Sequence, residues 1–137
     1  MTYGGAAIVR MFAELDGYQP PHHVGTTNRR IFGPEDGIGD FSMVRGTLWP
    51  GGGADRHYHE HSDQLIFVMS GQCRVRAGAT DVMLVGNDTV FLPRLVPHVV
   101  DVVSDEPLEL FITYLPALRP GDTNPAGTGN RPVHQGV

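Results

Sequence analysis

From residue 41 onward, apolar residues recur at alternate positions in short runs. This two-residue period predicts strands over residues 41–49, 64–70, 73–77, 81–85, 89–92, 96–103 and 108–115, all rich in Val, Ile, Leu, Phe and Thr. Turn chemistry separates them: Pro50-Gly51-Gly52-Gly53, Ser70-Gly71, Ala77-Gly78, Gly86-Asn87-Asp88, Leu92-Pro93 and Ser104-Asp105-Glu106-Pro107. No segment between 41 and 115 carries a 3.6-residue period. Short strands at this spacing predict an all-β sandwich or barrel. The flanks read differently. Residues 1–40 form a mixed N-terminal arm punctuated by Gly and Pro, in which 8–15 suits either a strand or a short helical turn. Residues 116–137, dominated by Pro, Gly, Asn and Thr, read as an extended C-terminal tail, either disordered or lying along the barrel or a partner subunit.

Chemistry enters at His57-Tyr58-His59. On a strand, residues i and i+2 share a face, so two imidazoles project side by side, as two adjacent positions on one metal require. Imidazole nitrogen binds Zn, Fe, Ni, Mn or Cu. Gln64 follows five residues after His59 and opens an apolar strand that ends at Gly71. A second element runs from Gly86-Asn87 through Pro93 to His98.

These residues resemble the two motifs of the cupin superfamily. Gly51, His57, His59, Gln64 and Gly71 match the first motif, with glutamine in the glutamate position. Pro93 and His98 match the second; there Asn87 and Leu95 stand at glycine positions and Val102 at an asparagine position. Asn tolerates the left-handed backbone that such a turn needs. The resemblance covers about residues 41–115. It implies a double-stranded β-helix, or jelly-roll barrel, in a single domain. It further implies one divalent transition metal (Mn, Fe, Ni or Zn) held by His57, His59, Gln64 and His98, and a small-molecule substrate.

Glutamine brings no charge. An ion held by three neutral imidazoles and an amide oxygen keeps its full positive charge and is the stronger Lewis acid for it. A trivalent iron state gains nothing from such a set. This favours isomerase, lyase or cyclase chemistry, and cupins with glutamine at this position include isomerases and lyases. The C-terminal flank also resembles small cupins that cyclise aromatic polyketides. A mononuclear non-haem iron dioxygenase and a non-catalytic small-ligand-binding cupin are the alternatives. Asp63 falls on the opposite strand face from Gln64 and is not expected to be a ligand.

Strand parity places Val44, Gly46, Leu48, Ile66, Val68, Val96, Val100 and Val102 on the inward, pocket-lining face. The pocket is then apolar around a polar floor, as small-molecule sites usually are. His61 keeps the parity of the ligand pair if the strand continues, which makes it the candidate general base at the pocket mouth; a solvated loop histidine is the other reading. His22 and His23 lie in an N-terminal loop that could lid the barrel. Tyr114 and Arg45 are candidates for groups behind the ligands.

Composition narrows the partners. The 137 residues suit one domain. A net charge of −5 excludes a broad nucleic-acid footprint, which needs a basic stripe. No apolar run reaches the ~18 residues of a membrane helix, and the first ten residues do not read as a signal peptide. Cys73 is the one cysteine, so no intrachain disulfide can form; it reads as a buried, inert thiol, and a cytoplasmic location is the expectation. Both faces of 64–70 are apolar, with Leu65, Phe67 and Met69 opposite Ile66 and Val68. An outward apolar face needs cover, which predicts a homodimer.

Overall fold

The computed structural model describes residues 5–127. It contains nine strands: β1 (His23–Phe32), β2 (Ser42–Tyr58), β3 (Asp63–Ser70), β4 (Gln72–Ala77), β5 (Thr80–Val85), β6 (Thr89–Leu92), β7 (His98–Val102), β8 (Leu108–Leu115) and β9 (Asn124–Pro125). Two single-turn 3-10 helices, Phe12–Glu14 and Pro34–Asp36, complete the described residues, which hold no α-helix. Residues 8–15 therefore resolve into a turn rather than a strand. The strands pair antiparallel in the order β5-β4-β7-β2-β8-β3-β6, with β1 and β9 both added to β2, and the sheet curls into a nearly closed barrel.

β2 organises the barrel. Pro50-Gly51-Gly52-Gly53 is not a turn, as its composition suggests, but the middle of a seventeen-residue strand. Before the glycines β2 pairs with β8 from Ser42↔Tyr114 to Leu48↔Leu108; after them it pairs with β7 from Gly53↔Asp101 to His57↔His98. One strand thus serves two sides of the barrel by bending. Gly52 is required at the bend: a Cβ there would lie 2.6 Å from the Gly25 carbonyl oxygen and 2.8 Å from that of Val24. The close approach is that of β1, a ten-residue strand that the mixed composition of the arm conceals.

The alternation within β2, β3 and β8 sorts side chains as the sequence period requires. Val44, Leu48, Ile66, Val68, Leu108 and Leu110 are buried in one cluster, while Leu65, Phe67 and Met69 face out. Each buried side chain of this size contributes about 1.5–3 kcal/mol over its exposed state. Cys73 is buried in the same cluster, and desolvation pushes its thiol up to about 11. The turn before β6 places Asn87 at φ 77°, as expected for the residue standing in the glycine position. Leu95 also adopts a left-handed backbone, φ 70°, at the other glycine position. That kink and Pro97 delay β7, which starts at His98 rather than at residue 96.

Candidate metal centre

β2 and β7 are register partners at His57↔His98, so two imidazoles arrive side by side from different strands. His59 follows immediately after β2 ends. Ring centroids are 4.4 Å apart for His57 and His98, 5.0 Å for His57 and His59, and 5.4 Å for His59 and His98. All three side chains are buried, and one ligand nitrogen from each falls within 4.8 Å of the others.

Backbone carbonyls set which nitrogen is offered. Nδ1 of His57 donates to the Asp55 carbonyl at 2.6 Å, Nδ1 of His59 to that of Asp122 at 2.7 Å, and Nδ1 of His98 to that of Val96 at 3.1 Å. With Nδ1 protonated, Nε2 carries the lone pair in each ring, the tautomer that a metal ligand needs. Nε2 of His59, Nε2 of His98 and Oε1 of Gln64 are buried with no hydrogen-bond partner among the described residues. An acceptor left so costs about 1–3 kcal/mol. Lone pairs cannot satisfy one another, and a divalent cation satisfies them together. The donor set therefore fits a metal ion.

The electrostatics agree. Desolvation lowers His57 to about 2, with His98 and His23 adding to it. Desolvation also lowers His98 to about 4, against the opposing pull of the Val96 carbonyl. His59 is lowered by burial as well. All three imidazoles are thus held neutral and ready to donate.

Groups from outside the two motifs complete the surroundings. Gln64 leans on Tyr114, its Nε2 donating to the phenol oxygen at 3.4 Å, which leaves Oε1 to the site. The Tyr114 ring meets His59 edge-on at 5.4 Å, and burial raises its phenol. Residues following β8 return to the barrel, where Asp122 grips the end of β2. Its backbone carbonyl holds His59, while its carboxylate accepts the N–H groups of Glu60 at 2.8 Å and His61 at 2.9 Å. Burial works to raise that carboxyl, but these bonds and one from Asn124 bring it below the usual range. β1 delivers His23, whose ring centroid lies 5.4 Å from that of His57. It stands outside the tight group of three but lines the same cavity.

That cavity is small, with a volume of about 20 Å³. Of the residues expected to line it, Leu48, Ile66 and Val100 do so, joined by Leu110 and Ile112 of β8. Val44 and Val68 lie in the core behind it, Gly46 is buried against Asn28, and Val102 packs on the core's edge. Val96 precedes β7 and falls outside the lining, because the strand on which its parity was reckoned begins two residues later. His61 is likewise not among the lining residues. β2 ends at Tyr58, so strand parity does not reach position 61, and the imidazole lies at the surface 3.1 Å from Glu60. Asp63 is engaged by Arg94, and Arg45 reaches Glu109 and the Phe12 ring on the outer surface. Asp122 left no sequence signal beyond its place in a Pro- and Gly-rich tail. His23 was visible only as a histidine after two prolines.

A small β-barrel with a buried set of neutral nitrogen and oxygen donors at one end of an apolar cavity defines the class. The Cupin domain family profile matches residues 44–114, and the chain belongs to that family. No curated protein matches its sequence significantly. Among solved structures, the polyketide cyclase RemF from Streptomyces resistomycificus superposes with a TM-score of 0.75 at 18% identity, covering 91% of this chain and 89% of that one. A predicted oxalate decarboxylase from Thermotoga maritima gives a TM-score of 0.71 at 17% identity, over 78% and 97% of the two chains. KdgF from a Halomonas species gives 0.63 at 19% identity, over 76% and 91%. At these identities the likeness is one of fold.

Proposed function

We propose that this protein is a metal-dependent enzyme acting on a small organic molecule by Lewis-acid rather than oxygen chemistry, of cyclase, isomerase or lyase type. The observation that carries the reading is the neutral donor set: buried lone pairs of His59, His98 and Gln64 without partners, beside His57, at the end of an apolar cavity. His57, His59, His98 and Gln64 would hold one divalent transition metal. When bound, the ion supplies an electrophile undiminished by any anionic ligand. The residues do the rest. Leu48, Ile66, Val100, Leu110 and Ile112 present an apolar wall beside the donors. Tyr114 holds the Gln64 amide in place. His23 brings a further imidazole to the edge of the donor set. The extent of the RemF superposition, which takes in regions beyond the family match, supports a cyclase most among these reactions.

The test begins with metal. Protein purified without chelator should carry close to one divalent transition ion per chain by elemental analysis, and His98→Ala should lose it. A content near zero, with no uptake on reconstitution, removes the reading. Zinc-loaded protein that turns over polyhydroxylated aromatic ketones under nitrogen separates it from oxygenation.

The outer face of β3 supports a second element of the proposal, a homodimer. Leu65 and Phe67 are each 39% exposed, Leu65 pairs across the sheet with Phe91, and β6 beside them is a sheet edge. Sedimentation should find a dimer at micromolar concentration, and a monomer there refutes it.

A further inference from the structure

β1 places Thr26 and Asn28 on the cavity wall, on the same strand face. Asn28 is only 6% exposed, and its Oδ1 is buried with no hydrogen-bond partner among the described residues. Its backbone is held in place. Asn28 forms an isolated bridge with Tyr18, each backbone N–H donating to the other's carbonyl, at 2.7 and 2.9 Å. Asn28 lines the cavity, and its buried Oδ1 is left facing it. Across the strand pair stands Gly46, the register partner of Asn28; a Cβ there would lie 3.0 Å from the amide oxygen. The missing side chain at Gly46 leaves Oδ1 its room. Beside it, the Thr26 hydroxyl donates its hydrogen to the Val24 carbonyl at 2.9 Å.

Buried acceptors in a native protein are nearly always paired. Here one, Asn28 Oδ1, stands on the cavity wall with no donor to receive among the described residues. We infer that Asn28 is the substrate-positioning and specificity-determining residue: its Oδ1 accepts a hydrogen bond from a hydroxyl donor on the ligand. The substrate class is then a small hydroxyl-bearing molecule whose donor lies away from the end that reaches the histidines. A site built to receive a donor rejects the analogue that lacks it more strongly than an apolar pocket rejects an extra methylene, because its own acceptor is left unpaired. Asn28 acts by orienting the ligand, not by touching the reacting atoms. The inference rests on the substrate-site reading of the cavity, and it names what that substrate must carry.

The experiment uses the full-length protein, zinc-loaded and metal-free, and matched probes. These are hydroxyacetone, 4-hydroxy-2-butanone and 5-hydroxy-2-pentanone, and the corresponding methyl ethers. Binding is read by titration calorimetry and by protein amide NMR shifts, with zinc content measured separately. In the wild type, at least one hydroxyl form should bind about tenfold tighter than its ether. Asn28→Leu, similar in size but without an acceptor, should abolish that preference. Asn28→Asp, which keeps an acceptor, should retain it. Zinc content should be equal in all three. If Asn28→Leu does not fold, Gly46→Ala serves in its place, since it keeps the amide and crowds its oxygen, and it should cut the preference severalfold. A wild type that binds every hydroxyl form no better than its ether, or an Asn28→Leu variant that keeps the preference, overturns the inference. Loss of zinc uptake with the preference intact in metal-free protein overturns the metal reading and leaves this one standing.

Discussion

Asp122→Ala tests whether residues beyond the matched motifs hold the metal site in shape. The side chain accepts the Glu60 and His61 N–H groups at 2.8 and 2.9 Å and the Asn124 amide at 2.9 Å. A hydrogen bond to a charged group is worth about 1.5–3 kcal/mol. Glu60 and His61 lie near the surface, where their N–H groups can turn to water after the carboxylate is removed. The lower end of the range applies, and the variant should lose about 2–3 kcal/mol in all. The second consequence runs through the backbone. The Asp122 carbonyl receives Nδ1–H of His59 at 2.7 Å, and the carboxylate is what anchors that carbonyl. Loosening a partner of this kind typically weakens metal binding about 10–100-fold. Asp122→Asn, which keeps an acceptor but not the charge, should show about half the stability loss. Guanidinium unfolding of metal-free protein at pH 7.5 reads the first effect, and zinc competition against a chromogenic chelator reads the second. An unfolding midpoint and a zinc affinity both unchanged in Asp122→Ala refute the clamp. A stability loss with zinc affinity unchanged refutes its link to His59.

Further outcomes follow from single features. Leu95 sits at φ 70° with its side chain 59% exposed, so Leu95→Gly should raise metal-free stability by about 0.5–1 kcal/mol in thermal or denaturant melts. His57 and His98, held at about 2 and about 4, bind protons less readily folded than unfolded, where imidazole titrates near 6.5. Their contribution is therefore complete above about pH 6.5 and lost as pH falls from there. His98 alone should cost on the order of 3 kcal/mol by pH 4, measured on metal-free protein. Gln64→Glu puts a carboxylate among lone pairs in an apolar cavity; metal-free protein should be less stable at pH 8 than at pH 5 relative to wild type, by about 2 kcal/mol, and zinc should offset the loss. Phe67→Lys, on the outer face of β3, should leave zinc content unchanged and shift sedimentation from dimer to monomer.

The barrel was legible from residue 41 because each of its strands buries one face only. Val44, Gly46 and Leu48 read inward by alternation and are buried; Leu65, Phe67 and Met69 read outward and are exposed. What alternation could not show is a strand that changes partners. Pro50 and three glycines look like a turn to any local reading, since a local reading has no knowledge of β1 approaching Gly52 at backbone contact. β1 itself hides for a related reason. Its inward face carries Thr26 and Asn28 beside Gly46 and the cavity, so the apolar signal that reveals the other strands is replaced by polar side chains.

The same cause divides the site. His57, His59, Gln64 and His98 were legible because they lie within two short motifs whose spacing follows strand geometry. Their partners were not, because each comes from far along the chain: Asp122 reaches His59 across 63 positions, and Tyr114 reaches Gln64 across 50. Asn28 and His23 come from an arm whose only sequence mark is its irregularity. This division is itself physical. Donors to an ion must satisfy fixed angles and lone-pair directions, which short segments of two strands supply. Orientation of those donors and recognition of a ligand need surfaces closing from other directions, and the remaining sides of this barrel are covered by β1 and the segment ending in β9. A chain that keeps the motif residues and alters Thr26, Asn28 or Asp122 should therefore still bind an ion, while differing in what it accepts beside that ion and in how firmly His59 is held.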